Sequence, residues 1–127
     1  MSTLSVGTIQ SSTTSPPTIN NSAGTAIGTF CRAWVNFNGT GTPAARASFN
    51  VTSITDNGTG DYTVNFTTAM SDANYALVGA CMPTSTTERM VTTSGAFSQL
   101  TTSIRIGTRG GGGSLSDNEN VYVAIFR

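Results

Sequence analysis

"ASFNVTSITDNGTGDYTVNFTTAM", residues 47–70, alternates apolar and polar residues, breaks into a cluster of Asp, Asn and Gly, and then alternates again. Ala45, Ala47, Phe49 and Val51 share one parity, as do Tyr62, Val64 and Phe66, while Ser48, Asn50, Thr63 and Asn65 hold the other. A period of two puts alternate side chains on opposite faces of an extended chain, so each half reads as a strand with one apolar face. The cluster "DNGTGD" between Ile54 and Tyr62 has two readings. Asp56, Asn57 and Asp61 offer oxygen ligands for a hard cation, but the alternating ligand spacing stops there and no Glu follows near the twelfth position of such a loop. A tight hairpin needs residues that tolerate positive φ, and Asn57, Gly58 and Gly60 supply them. The hairpin is the reading the residues favour.

Working outward, the same texture recurs from Phe30 onward. Strands are expected near 30–37, 45–55, 61–67, 74–81, 88–93, 99–107 and 119–126, each bounded by turn residues. No window shows helical spacing, so the class is all-β, a small antiparallel β-sandwich of about seven strands, with helix content close to nil. Trp34 lies in an alternation that predicts burial. The closing strand "VYVAIFR" is apolar on both parities, so one side is expected to face the core and the other a neighbouring layer or subunit. Short strands around a thin core leave exposed edges, which a protein must charge, cover or close.

Charge is scarce. Of 127 residues 9% are charged, the six basic ones are all Arg, and the net charge is zero. Without a clustered basic excess there is no footprint for nucleic acid and no polybasic membrane contact. No apolar run approaches a membrane span, and the first twenty residues lack the basic start and apolar block of a secretory signal, so a soluble protein made in the cytosol is expected. Cys31 and Cys81 sit inside apolar alternation, as two buried thiols or as a disulfide. Two Cys with no His cannot hold a tetrahedral zinc. The Asn-x-Thr triplets at Asn38, Asn50, Asn57 and Asn65 are chance matches in a Thr-rich chain.

Residues 1–29, "MSTLSVGTIQSSTTSPPTINNSAGTAIGT", carry too few apolar groups to fold alone. Leu4, Val6, Ile9, Ile19 and Ile27 are nevertheless too many for a plain linker. An extended N-terminal arm ordered by a partner is expected, with residues 30–127 as the folded domain. "GTRGGGGSLSDNEN", residues 107–120, lacks the helix and the Lys of a phosphate-cradling loop and reads as a mobile loop tip. Loop tips on a β-scaffold often carry specificity, which makes Arg109, Asp117 and Asn118 candidate binding residues. For catalysis the inventory is thin: no His, and six carboxylates (Asp56, Asp61, Asp72, Glu88, Asp117, Glu119) in turns and loop edges. No enzyme, cofactor or metal is expected.

The run from Cys31 to Cys81, with "AWVNFNGTGT", the hairpin quoted first and "DANYALVG", resembles a domain that recurs in tail-fibre and related virion proteins of tailed bacteriophages, including cyanophages. The stretch "TLSVGTIQSSTTSPPTI" looks like the extended lead-in that often precedes such domains. A larger apolar residue usually stands in the family where this chain has Ala45, which implies looser packing beside Arg46. The resemblance implies a homotrimeric β-sandwich-like module on a virion, synthesised in the host bacterial cytoplasm, and it points to no catalytic residue. Two roles follow as expectations. One is a fibre knob or tip attaching to a host surface glycan or protein; the other is a non-adhesive virion component, a capsid-decorating fibre or a baseplate/fibre adaptor. In either, residues 1–29 would anchor in other virion proteins or wrap the trimer.

Overall fold

The computed structural model describes residues 5–12, 17–82, 89–93 and 98–127. Residues 1–30 form one unit and residues 31–127 another. In the first unit the expected extended arm contains a small antiparallel hairpin, β1 (Ile19–Asn20) with β2 (Ala26–Gly28). Asn21 makes its turn: the side-chain Oδ1 accepts from the amides of Ala23 and Thr25 at 3.0 and 2.9 Å. An Asn side chain that satisfies backbone donors this way stands in for a backbone turn.

Among the described residues the second unit holds eight strands: β3 (Cys31–Asn38), β4 (Ala44–Phe49), β5 (Val51–Gly58), β6 (Asp61–Phe66), β7 (Ala76–Met82), β8 (Arg89–Thr92), β9 (Ser103–Gly110) and β10 (Asn120–Phe126). No helix occurs among the described residues. The strands form two four-stranded sheets, β4-β3-β10-β7 and β5-β6-β9-β8, and every neighbouring pair is antiparallel. The sheets pack face to face in a sandwich-like arrangement over one core. Val35 and Phe37 of β3 and Val121, Val123 and Ile125 of β10 meet Tyr62 and Val64 of β6 and Ile104 and Ile106 of β9. Phe37 and Tyr62 stack edge to face, with ring centres 5.2 Å apart.

The first-read hairpin is present: β5 pairs β6 with Gly58 opposite Asp61, and Gly60 takes φ +63° in the turn. The expected strand 45–55 is instead two strands that belong to different sheets. They divide at Asn50, which among the described residues is the one non-glycine with positive φ, at 55°. Its side chain donates to the carbonyls of Arg32 and Thr68, each at 3.0 Å, and accepts from the Thr68 amide at 2.7 Å. Asn tolerates the left-handed region better than most residues, and three hydrogen bonds hold it there. The chain thereby crosses from one sheet to the other in a single residue. At the far side of the sandwich Val91 of β8 packs over Gly79 of β7.

Three further expectations are corrected. Trp34 is not buried; it is 41% exposed, because β3 turns Ala33, Val35 and Phe37 inward and Trp34 outward. The expected strand 99–107 begins later and runs on to Gly110, so residues 107–110 of the glycine-rich stretch are strand. Of the two readings for the cysteines the thiol one holds: Cys31 and Cys81 are both free, Cys81 buried and Cys31 only partly so. Strand β10 lies between them, with Cys81 opposite Val121 and Cys31 opposite Phe126, near its two ends. Burial pushes the Cys81 thiol up. Ala45 lies on the fully exposed strand β4, so the looser packing expected beside Arg46 falls on an edge and not in the core.

Candidate interaction surface

The outward faces of the two sheets differ. On β5-β6-β9-β8 most outward side chains are polar and many are tied to one another, with Met90 of β8, opposite Arg109, as an exposed apolar exception. Asn65 donates to Ser53 Oγ and Thr55 Oγ1 at 3.1 and 2.9 Å, and Asn57 donates to Thr63 Oγ1 at 2.9 Å. Arg105 grips Asp61 with two hydrogen bonds of 2.8 and 2.6 Å, which holds the Asp61 carboxyl below the usual carboxylate range. Such a surface is stable against water, since its polar groups are paired and nothing apolar projects from these positions.

On β4-β3-β10-β7 a row of outward positions is apolar. Register places Phe49 opposite Trp34, Trp34 opposite Ala124, and Ala124 opposite Val78. Directly opposed residues of antiparallel strands share a face, so these four make one apolar row across the whole sheet. Phe49 is 55% and Val78 59% exposed. Beside the row runs a groove of about 300 Å³, floored by Ala80 and Ala124 and bounded by Trp34, Val78 and Tyr122. The Tyr122 hydroxyl donates to the thioether of Met82 at 3.4 Å, and the buried Oδ1 of Asn36, which also lines the groove, has no hydrogen-bond partner. A contiguous apolar patch of this kind marks a contact surface in folded proteins. A second groove, also about 300 Å³, opens at the strand crossover and is lined by Arg32, Phe49, Asn50, Thr67 and Thr68.

The three residues singled out from the glycine-rich stretch serve the loops themselves. Arg109 donates to the Gly113 carbonyl at 2.6 Å. Asp117 Oδ1 accepts from the Gly60 amide at 2.6 Å and from the Tyr62 hydroxyl at 2.9 Å. Asn118 is buried, donates from its side chain to the Ser116 carbonyl at 2.9 Å and accepts at its own carbonyl from the Gly39 amide. Asp117 and Asn118 therefore join the turns at 39, 60 and 116 into one end of the domain, and neither is a free loop tip. Most of the connection between the strands expected near 74–81 and 88–93 lies outside the described residues, as does Glu88. Among the described residues no group of three or more His, Cys, Asp or Glu is placed to hold a metal ion. No helix among them is long and apolar enough to cross a membrane.

No family model matches the chain, and no curated protein or solved structure matches it either. The apolar face therefore has to be read on its own chemistry. Its sequence signal was the closing strand, apolar on both parities. Phe49 and Trp34 were missed because each stands in an alternation whose inward and outward sides the sequence does not label.

Proposed function

We propose that this chain is a virion structural protein of a tailed bacteriophage, a homotrimeric β-module of the tail-fibre knob or tip that attaches the particle to a host surface. The observation that carries the assembly part is the exposed apolar row across β4-β3-β10-β7, next to a second sheet whose outward face is mostly polar and hydrogen-bonded. The phage assignment rests on the resemblance of residues 31–81. Host contact falls to the crossover groove, where the Arg32 guanidinium and the hydroxyl-bearing Thr67 and Thr68 supply charge and hydrogen bonding for a glycan or protein.

The alternative role, a non-adhesive virion component, is favoured by the first thirty residues, which contain no charged side chain and leave Val6, Ile9 and Ile27 exposed. Sedimentation of the purified chain tests the assembly: the expected particle has three times the 13.1 kDa chain mass, and a monomer at micromolar concentration sinks the reading. Competition with phage for susceptible cells separates the roles. Protein that blocks infection supports attachment, and protein that trimerises but never competes supports the structural component.

A further inference from the structure

We infer that Asn57 is a site of spontaneous, water-driven modification: the Gly58 backbone nitrogen displaces its side-chain amide, and a carboxylate ends up where the amide stood. Asn38, in the same Asn-Gly-Thr triplet, is shielded from this by the fold. The chemistry does not depend on how copies assemble.

Two Asn-Gly pairs occur in the chain, Asn38-Gly39 and Asn57-Gly58, and Thr follows each. Glycine has no Cβ to hold its own amide nitrogen away from the preceding side chain, so in this pair the nitrogen reaches the Asn Cγ with little hindrance. The step balances without a catalyst. The Gly58 nitrogen bonds to the Asn57 Cγ, the Cγ–Nδ2 bond breaks, and the Nδ2 group leaves as ammonia with the proton that the glycine amide gives up. Water then opens the cyclic imide at either of its two carbonyls, leaving aspartate or, with the main chain rerouted through the side-chain carboxyl, isoaspartate.

The two glycines stand in opposite surroundings. Gly39 is buried, its amide donates to the Asn118 carbonyl at 2.9 Å, and its own carbonyl accepts from the Tyr62 hydroxyl at 2.6 Å. The peptide between Asn38 and Gly39 therefore turns towards attack only if this end of the domain opens. Asn57 and Gly58 are both exposed. Asn57 is the extra residue of a bulge: Asp56 stands opposite Tyr62 and Gly58 opposite Asp61, which leaves Asn57 without a partner across the ladder. A Cβ at Gly58 would meet nothing within 4 Å. The Gly58 amide donates to Asp56 Oδ1 at 2.9 Å, an exposed bond that one rotation of the Asp56 side chain releases. The asparagine side chains do not make the difference, since both are held: Asn38 by Thr40, and Asn57 through donation from Nδ2 to Asp61 Oδ1 at 3.3 Å and Thr63 Oγ1 at 2.9 Å. Conversion of Asn57 removes both of these donations and sets a second carboxylate beside Asp61, so that Arg105 faces two. It also takes the chain from zero net charge to one negative charge.

The test holds the full chain in mildly alkaline buffer, folded or in urea, and maps its peptides by mass spectrometry at intervals. In the folded chain Asn57 is expected to convert at least about tenfold faster than Asn38, because attack at Gly39 first needs a local opening. In urea the two should convert at similar rates, since their triplets match. An Asn57→Asp chain, which supplies one of the two products directly, is expected to unfold at a lower urea midpoint than wild type. No conversion at Asn57 in the folded chain, or conversion no faster than at Asn38, overturns the site. A gap that persists undiminished in urea overturns the shielding by the fold. An Asn57→Asp chain as stable as wild type overturns the consequence for Asp61 and Arg105.

Discussion

The hydroxyl of Tyr62 donates to the carbonyl oxygen of Gly39 at 2.6 Å, and a methyl group on the Gly39 Cα would stand 2.7 Å from that hydroxyl and 2.8 Å from the Asn118 carbonyl oxygen. The hydroxyl shares its one proton with Asp117 Oδ1, so a buried tyrosine, two turns and a carboxylate meet at a point with no spare volume. Gly39→Ala is therefore expected to destabilise the unit by about 1–3 kcal/mol, through overpacking against backbone that cannot easily move. Urea unfolding followed by circular dichroism measures it. An unchanged midpoint would mean that the turn has slack the contacts do not show.

Tyr62→Phe removes the same donor without adding bulk. The expected cost near pH 7 is about 1–2 kcal/mol, since the Gly39 carbonyl and the Asp117 carboxylate each lose a buried partner. The pH dependence has a definite sign. Burial pushes both core phenols up, Tyr62 above its ordinary range and Tyr75 to about 12. Their neutral forms thus stabilise the fold fully below the unfolded value of about 10, and that contribution is lost as the pH rises from there through the folded values. The stability gap between wild type and Tyr62→Phe should narrow above about pH 10. A constant gap up to pH 12 would contradict the burial of the hydroxyl.

Asn50 makes the crossover between sheets, and two substitutions separate its two contributions. Asn50→Ala loses the three side-chain hydrogen bonds and keeps a Cβ in the left-handed region, for an expected loss of about 2–3 kcal/mol. Asn50→Gly relieves the backbone alone and should recover about 1 kcal/mol of that. Equal unfolding midpoints for the two variants would show that the positive φ costs nothing here.

Asp61 and Arg105 give a prediction at the acid end. The guanidinium, chiefly through its hydrogen bonds, holds the Asp61 carboxyl below its ordinary value. A depressed folded value means stability that is present above the unfolded pKa of about 4 and lost as the pH falls below it. Asp61→Asn should lower the unfolding midpoint at pH 7, and the difference from wild type should shrink as the pH drops from about 4 towards 2. A difference that stays constant over that range would show the pair to be energetically idle, as many exposed ion pairs are.

The all-β class, the hairpin at Asp56–Asp61 and the position of most strands were legible from residue order, because period-two alternation and turn residues act over a few neighbours. The strands β3, β6 and β10 lie within a residue of where alternation placed them. Alternation says that two faces exist, but not which of them turns inward. That is why Trp34 was expected inside, and why Phe49 and Val51, two apart and of one parity, were expected on one face. Val51 packs against the core, whereas Phe49 stands opposite Trp34 on the outer face.

The amino-acid order alone determined a neutral chain of short antiparallel strands with an apolar last strand, since those properties are local or additive. Only the tertiary structure decided that one outer face is laced with hydrogen bonds and the other left greasy. It also decided that Asp117 and Asn118 bind their own loops, and that a single left-handed asparagine passes the chain between the sheets. Each of these depends on which residues distant in the chain come together, such as Asp117 with Tyr62 or Asn50 with Arg32. Such pairings are set by the closing of the whole core and leave no mark in any short window of residues.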